Sequence, residues 1–573
     1  MKKIKPQRQH ICDLRELVKN SADNRGSNTL FKYKRNGNIQ SISYSDFAHQ
    51  CDCLGSAFYD IGLKDCAIGV IGETCPEWVM TYLAAVNGGN VIVPLDKELN
   101  PKELAEFIKL ANIKAVVYTQ SYDEMFADLF HSLDGISYLI PIVTNESKYS
   151  PDDFRALEAD KRIEFSLLIE RGEKLLSEGY DEFLAHEIDR EKMSVILFTS
   201  GTTGTSKGVM LSVKNVATAV NNSYDTTEFY DDDVLLSVLP LHHTYEMTCG
   251  ILTAMLYGAT VCINDSLKYV LRNIQLFKPT AMILVPVFVK TMYKKIWDSA
   301  SKKKSVGKLN FALSLQGVLS KVKIDAKKYL FSEIKNAFGG NLERIICGGA
   351  PLSAELVKGF NDFGISLSQG YGITECSPLI SVNPYKCEKY GSVGYPVPGL
   401  EVRIEDVDEN GNGEIVVRGD NVMLGYYNDT EATKAVLSED RWFKTGDLGY
   451  IDQDGYIYIT GRKKNVIVLN NGKNVFPEEI EEYLEKIDLV GEVAVVSRDG
   501  DDGEVVLTAI IYPNFDRARE IGLEDIVKIS EEIKNRVQQN NKTLPTFKQV
   551  RNIEIRKTEF EKTTSKKIKR HKI

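Results

Sequence analysis

The sequence predicts an α/β protein: a large N-terminal domain of layered α/β sheets with a small barrel-like subdomain, then a small mobile α+β C-terminal domain. Three observations carry this. Short Val- and Ile-rich runs alternate with helical patterns over the first part of the chain. Near residue 390 the pattern changes to short strands punctuated by Gly, Pro and Asp. After Gly461 a smaller mixed unit begins. A chain of 573 residues also exceeds what one hydrophobic core supports, so two or more domains are required.

The runs CAIGVIG (66–72), NVIVPLD (90–96) and IKAVVYT (113–119) read as buried strands, with a helical pattern over 76–89 between the first two. Further strands are expected at 193–200, 281–287 and 342–349. Strand–helix alternation of this kind argues for parallel sheets covered by helices. GSVGYPVPGLEVRI, GEIVVRG and DGYIYITGR suit antiparallel pairing. The last unit holds a helix expected to begin at Pro477, with Glu478 and Glu479 in its first turn. The domains therefore divide as 1–461 and 462–573, with the hinge expected around Gly461 to Lys464.

Composition excludes several classes. The hydrophobic and charged fractions, 43% and 26%, are those of a globular protein. A net charge of −9 argues against nucleic acid as the main partner. The exception is Arg556 to Ile573, with eight basic and two acidic residues, which on composition alone is a solvated tail. The N-terminus is basic without an apolar core behind it, so no secretory signal is read. The apolar run Ala281 to Val289 is about half of what a membrane-spanning helix needs. The expectation is a cytoplasmic protein with peripheral membrane contact at most. Of the ten cysteines, Cys51 and Cys53 form a lone C-x-C with no pair at metal-ligand spacing, and all ten read as reduced, buried thiols.

The most informative segment is FTSGTTGTSKGV, Phe198 to Val209, directly after an apolar strand. Gly201 and Gly204 permit a tight turn with exposed backbone N–H groups. Thr199, Ser200, Thr202, Thr203 and Thr205 add hydroxyl donors, and Lys207 a point charge. Such a loop can cradle a polyphosphate. It is not the Walker loop, because Lys207 follows Ser206 and precedes Gly208. On composition alone, a Ser/Thr-rich surface turn is an equal reading.

The twelve residues resemble the signature of the adenylate-forming superfamily, which includes acyl-CoA synthetases, luciferases and nonribosomal adenylation domains. The usual Pro is replaced here by Ser206. Further segments resemble that family's motifs in the same order. LPLHHTYE, Leu239 to Glu246, implies His243 beside the carboxylate pocket; a lone His is otherwise a hydrogen-bonded core residue. CGGAP, with Gly348, Gly349 and Ala350, implies an adenine-holding turn. QGYGITECSP implies Tyr371 and Gly372 against adenine, Thr374 on the α-phosphate and Glu375 as an oxygen ligand for Mg2+. RWFKTGD implies Asp447 on the ribose hydroxyls. GRKKNVIVLNNGKNVF implies Arg462 as a ribose and phosphate contact, Lys464 as the hinge and Gly472 in a hairpin lining the pantetheine tunnel. EKTTSKKIKR places the catalytic lysine at Lys567, with Lys566 the one-residue alternative.

Bacterial long-chain fatty acid:CoA ligases are the nearest resemblance. It implies activation of a medium- or long-chain fatty acid by ATP as acyl-AMP, with pyrophosphate released, then transfer to CoA. No carrier domain follows Lys567, so a diffusible acceptor is expected. Acyl carrier protein as acceptor, an aryl or short-chain acid as substrate, luciferase-like oxidation and a regulatory adenylate-binding protein stand as alternatives. Acid-dependent pyrophosphate exchange, and light or oxygen uptake, separate them.

Overall fold

The structure is a computed structural model that describes residues 10–129, 133, 135–144, 161–199, 206–322, 324–409, 411–470, 473–500, 504–563 and 567–573. The chain forms two compact units. The first comprises residues 1–390, 394–401 and 418–441, and the second 391–393, 402–417 and 442–573.

The first unit is built on two large sheets. In one, a seven-stranded sheet, Ala67–Ile71 pairs in parallel with Val91–Pro94 and Ile113–Thr119. These strands are buried almost throughout, which is why they read as continuous apolar runs rather than alternating ones. The helix Pro76–Asn87 starts with proline at its first turn, and Pro101–Leu110 starts with a reciprocal Asn100–Glu103 capping box. The same sheet carries Met193–Thr199 and, antiparallel to it, Lys207–Ser212, the two strands that flank the Ser/Thr-rich loop.

The other sheet is nine-stranded and contains, in neighbouring order, Leu379–Val382, Ser366–Gly372, Arg344–Cys347, Ala281–Leu284 and Val234–Ser237. The strand expected over 281–287 ends at Leu284, because Pro286 opens the helix Pro286–Lys302. An ion pair ties the N-terminal ends of three of these strands. Arg344 is 4% exposed and Asp233 is fully buried, and the guanidinium bonds directly to that carboxylate. Thr280 Oγ1 donates to Asp233 Oδ1 at 2.7 Å, and the Tyr230 N–H to Oδ2 at 2.8 Å. Removing one partner of a buried pair leaves the other charge poorly solvated. Arg344→Ala is therefore expected to cost about 3–5 kcal/mol, measured as a lowered urea midpoint, and Asp233→Asn should cost less in the Arg344→Ala background than alone.

The second unit contains nearly all of a four-stranded sheet, Glu401–Glu405, Gly413–Arg418, Phe443–Ile451 and Ile457–Arg462, the last three paired antiparallel. This is the turn-rich region beyond residue 390. A three-stranded sheet, Val490–Asp499, Val505–Pro513 and Asn552–Ile555, follows. Helix Pro477–Leu484 starts where the sequence places it and buries Ile480 and Leu484 against Val493, Val495 and Ile511. Ile529, Ile533 and Val537, at helical spacing on Ile526–Asn541, close the same core.

All ten cysteines are free thiols, but Cys12 and Cys387 are exposed and Cys66 is half-buried, so the expectation of uniformly buried thiols fails at those three. No helix among the described residues is long and apolar enough to cross a membrane.

Candidate active site

In the first unit, the predicted residues gather around the ends of strands. Arg344–Cys347 delivers Gly348, Gly349 and Ala350 at its C-terminal end, and Ser366–Gly372 delivers Tyr371 and Gly372. Gly349 has φ +85°, a conformation that favours glycine. A Cβ on Gly372 would lie 2.1 Å from the Pro378 carbonyl oxygen, so no other residue fits there. Next to these glycines runs an apolar cleft lined by Tyr245, Cys249, Ile283, Ile346, Leu379 and Val382. Tyr245 donates from its hydroxyl to the Ile346 carbonyl at 3.2 Å, which fixes one wall.

Thr374 and Glu375 occupy the short 3-10 turn Thr374–Cys376. Glu375 is held from two sides. Its carbonyl accepts from the Met423 N–H at 2.8 Å, and its Oε1 accepts from the Tyr426 hydroxyl at 2.9 Å. Tyr426 lies in Gly425–Tyr426, paired antiparallel with Lys207–Ser212. The Lys207 ammonium sits 4.7 Å from the centre of the Tyr426 ring, a cation–π contact. Tyr426 thus links the lysine to the carboxylate, and sequence reasoning missed it. The only local signal was its place in a turn-rich segment. Glu375, a carboxylate anchored through one oxygen, offers the hard donor that Mg2+ takes. Thr199 is placed, with its hydroxyl 3.4 Å from the Lys207 carbonyl. Ser200, Gly201, Thr202, Thr203 and Gly204 lie outside the described residues.

His243 is half-buried, its ring centre 4.2 Å from that of His242. Burial, then the neighbouring His243 and Lys97, push His242 well below the usual imidazole range, so it is neutral. Its Nε2 lies 3.6 Å from Asp96, too far for a hydrogen bond and without charge for an ion pair.

The chain then forms a π-helix, Tyr245–Leu252, that carries a buried carboxyl. Glu246 accepts from Ser237 Oγ, and its Oε2 has no hydrogen-bond partner among the described residues. Burial raises Glu246 to about 8, with the Ser237 bond opposing. Between the ordinary glutamate range and that value the folded state holds a proton that the unfolded state has lost. The contribution of Glu246 to stability therefore falls as pH rises through this window. Glu246→Gln should gain stability relative to wild type between pH 5.5 and 8.5, read as the difference in urea midpoint at each pH. A pH-independent difference would mean the carboxyl does not titrate there.

In the second unit, strand pairing sets Asp447 directly opposite Arg462. Asp447 is buried, and Arg462 Nε lies 2.7 Å from its Oδ1. Lys464 lies in the 3-10 turn Lys463–Asn465, immediately after that strand. Its neighbour Lys463 bonds Glu414 at 2.7 Å. Lys567 is tied to Thr563 by the Thr563 N–H to the Lys567 carbonyl at 2.8 Å and the Lys567 N–H to Thr563 Oγ1 at 3.2 Å. Although the residue retains exposed surface, loss of water around the ammonium and then the like charge of Arg462 hold it below the ordinary lysine range. Lys464 adds to that effect and Asp447 opposes it. The second unit thus collects Arg462, Lys464 and Lys567 within electrostatic reach of one carboxylate, a net positive cluster suited to an anion. Lys566 and Gly472 lie outside the described residues.

Comparisons with known proteins show the family to which the chain belongs. Residues 18–427 match the model of the AMP-binding enzyme family, and residues 464–573 that of the AMP-binding enzyme C-terminal domain. Fatty acyl-CoA synthetase A of Dictyostelium discoideum is 28% identical over 531 residues, 88% of this chain and 77% of that protein. Long-chain-fatty-acid–CoA ligase 6 of Homo sapiens is 29% identical over 501 residues, 83% of this chain and 70% of that protein. ATP-bound MatB from Rhodopseudomonas palustris shares the fold with a TM-score of 0.73 at 23% identity, over 97% of both chains. A family model that covers most of the chain, and a second that covers its end, place this protein in the AMP-binding enzyme family.

Proposed function

We propose that the chain activates a medium- or long-chain fatty acid with ATP and transfers the acyl group to CoA. The observation that carries this is the similarity over most of the chain to proteins named fatty acyl-CoA synthetase A and long-chain-fatty-acid–CoA ligase 6, and the apolar lining of Tyr245, Ile283, Ile346 and Leu379 beside the glycines of Gly348–Gly349 and Gly370–Gly372 fits it. An apolar pocket at a turn suited to a flat base fits an acid with a hydrocarbon tail better than a polar one. Tyr371 with Gly348, Gly349 and Ala350 would take adenine, and Asp447 with Arg462 the ribose. Lys207 and the Ser/Thr-rich loop would hold the β- and γ-phosphates.

A carboxylate oxygen attacks the α-phosphorus. The new O–P bond forms as the bond to pyrophosphate breaks, and negative charge builds on the α-phosphate oxygens. Lys567 and Thr374 are the groups proposed to meet that charge, and His243 to orient the acid. Glu375 would hold Mg2+, which when bound neutralises phosphate charge. In the second half-reaction the CoA thiol gives up its proton to solvent, its sulfur bonds to the acyl carbon, and AMP leaves with the electrons of the broken acyl C–O bond. The division at 461/462, with Lys464 as pivot, would exchange Lys567 for the hairpin at Gly472.

The test is AMP release with CoA and a series of saturated acids from two to eighteen carbons. A maximum at eight carbons or more supports the reading. A maximum with acetate or benzoate overturns the substrate class, and release with acyl carrier protein but not CoA overturns the acceptor.

Membrane contact has its own support. Helix Val306–Lys321 buries only Gln316 and exposes Phe311 (69%) and Val318 (62%). Tyr329 beyond it is 81% exposed. Lys302, Lys303, Lys304, Lys308, Lys321, Lys327 and Lys328 flank these apolar groups in the sequence of an otherwise acidic chain. Exposed apolar side chains in a lysine-rich segment suit an anionic bilayer surface. The protein should sediment with anionic vesicles and not with neutral ones, and Phe311→Ser should weaken that binding about tenfold, the scale of one lost aromatic side chain.

A further inference from the structure

We propose that His49, Cys53 and Glu173 form a binding site for a zinc-type divalent cation, clamping two helices of the first unit. The three residues belong to none of the groups assigned above to nucleotide, acid or thiol.

His49 and Cys53 stand one turn apart on the helix Tyr44–Asp60, so they share a face. Glu173 comes from the helix Phe165–Ser177, 120 residues from Cys53. The crossing of the two helices is unusually close, and the cause is Gly172. A Cβ at that position would lie 1.9 Å from the Cys53 carbonyl oxygen. Only glycine allows this approach, and the next residue is Glu173, whose carboxylate is thereby delivered onto the His49–Cys53 face.

The donor spacing fits a tetrahedral ion. Cys53 Sγ lies 3.6 Å from His49 Nε2 and 3.5 Å from Glu173 Oε2. Zinc bonds of about 2.3 Å to sulfur and about 2.05 Å to nitrogen or oxygen, at tetrahedral angles, require both edges to be about 3.5 Å. The third edge, His49 to Glu173, is a direct hydrogen bond and must lengthen. Both side chains allow that, with 53% and 60% of their surface exposed. Sulfur anchors the site from inside, since Cys53 is fully buried, and the two exposed ligands face the route of entry.

The donor set also selects the metal. One thiolate, one imidazole and one carboxylate suit zinc or cobalt; magnesium and calcium require oxygen ligands. Three protein donors leave the fourth position to water. On binding, the Cys53 S–H bond breaks, its proton goes to solvent and the sulfur lone pair forms the metal bond. A cation held this way ties the two helices together and adds stability to the folded state by mass action.

The probe is Co2+ with the full-length protein, read as the thiolate-to-cobalt charge-transfer band in the near ultraviolet. Wild type should show a band that saturates at one equivalent. Cys53→Ser should lose it. His49→Ala and Glu173→Gln, which alter exposed side chains and so preserve folding, should weaken cobalt binding about tenfold or more. Zinc should raise the melting temperature of wild type more than that of His49→Ala at the same concentration, while acid-dependent AMP release of His49→Ala stays at the wild-type rate. An equal band in wild type and Cys53→Ser, or in wild type and His49→Ala, would assign the cobalt to other thiols and overturn the site. So would the absence of a band at stoichiometric cobalt, which leaves an ordinary His–Glu hydrogen bond beside a thiol.

Discussion

Replacing Lys567 by alanine is expected to lower acyl-AMP formation by about two to three powers of ten, the scale of losing one charge contact made in the transition state. The conversion of supplied acyl-AMP to acyl-CoA should be retained, because in the proposed exchange Lys567 has left the site before the thiol attacks. The expectation rests on the electrostatic neighbourhood of this ammonium, which feels Arg462, Lys464 and Asp447 together. A lysine drawn toward a buried carboxylate that already pairs with Arg462 adds to a concentration of positive charge suited to a triphosphate. The measurement is acid-dependent pyrophosphate exchange beside thioester formation from purified acyl-AMP. If Lys566→Ala shows this split and Lys567→Ala does not, the catalytic lysine is the preceding residue.

Lys464→Pro is expected to separate the same two activities in the opposite sense. The residue sits in the first turn of Lys463–Asn465, directly after the strand that ends at Arg462. Proline at this second position of the turn holds φ at about −65°, a value a 3-10 turn accommodates, and strains only the preceding Lys463. The sheet that ends at Arg462 should therefore survive the substitution. What proline removes is the freedom of φ that a pivot requires. Acyl-AMP formation should persist within a few fold while thioester formation collapses by about a hundredfold or more, the scale of a misplaced reacting group. Equal loss of both would make Lys464 a structural residue, and retention of both would place the pivot elsewhere. Burial lowers the Lys464 ammonium below its ordinary range, and Arg462 adds to this, so a Lys464→Ala control separates the charge from the backbone effect.

Much of the fold was legible because its determinants are local. The strands Ala67–Ile71 and Ile113–Thr119 are apolar runs whose burial on both faces leaves no polar alternation to misread. Helix Pro477–Leu484 announces its start with proline and two acidic residues. The misplaced strand end at 281–287 has an equally local cause, a proline that starts a helix after five apolar residues, Ala281 to Val285, that read as a continuing strand. The pairing of Asp447 with Arg462 follows from an antiparallel hairpin, in which nearby residues become cross-strand partners.

The sequence by itself determined the class of fold, the order of its elements and the motif residues that stand at the ends of strands. Only the tertiary structure decided what those residues touch. Tyr426 stands 51 residues from Glu375 and yet donates to its carboxylate while its ring meets the Lys207 ammonium. Glu246 is an unremarkable acid in LPLHHTYE until burial raises it to about 8. Cys53, one half of a lone C-x-C in the chain, shares a helix face with His49 but meets Glu173 only because Gly172 lets two helices approach. Periodicity fixes which face of an element points inward. Protonation and coordination depend on distances between atoms brought together from remote parts of the chain, and those exist only once the elements have packed.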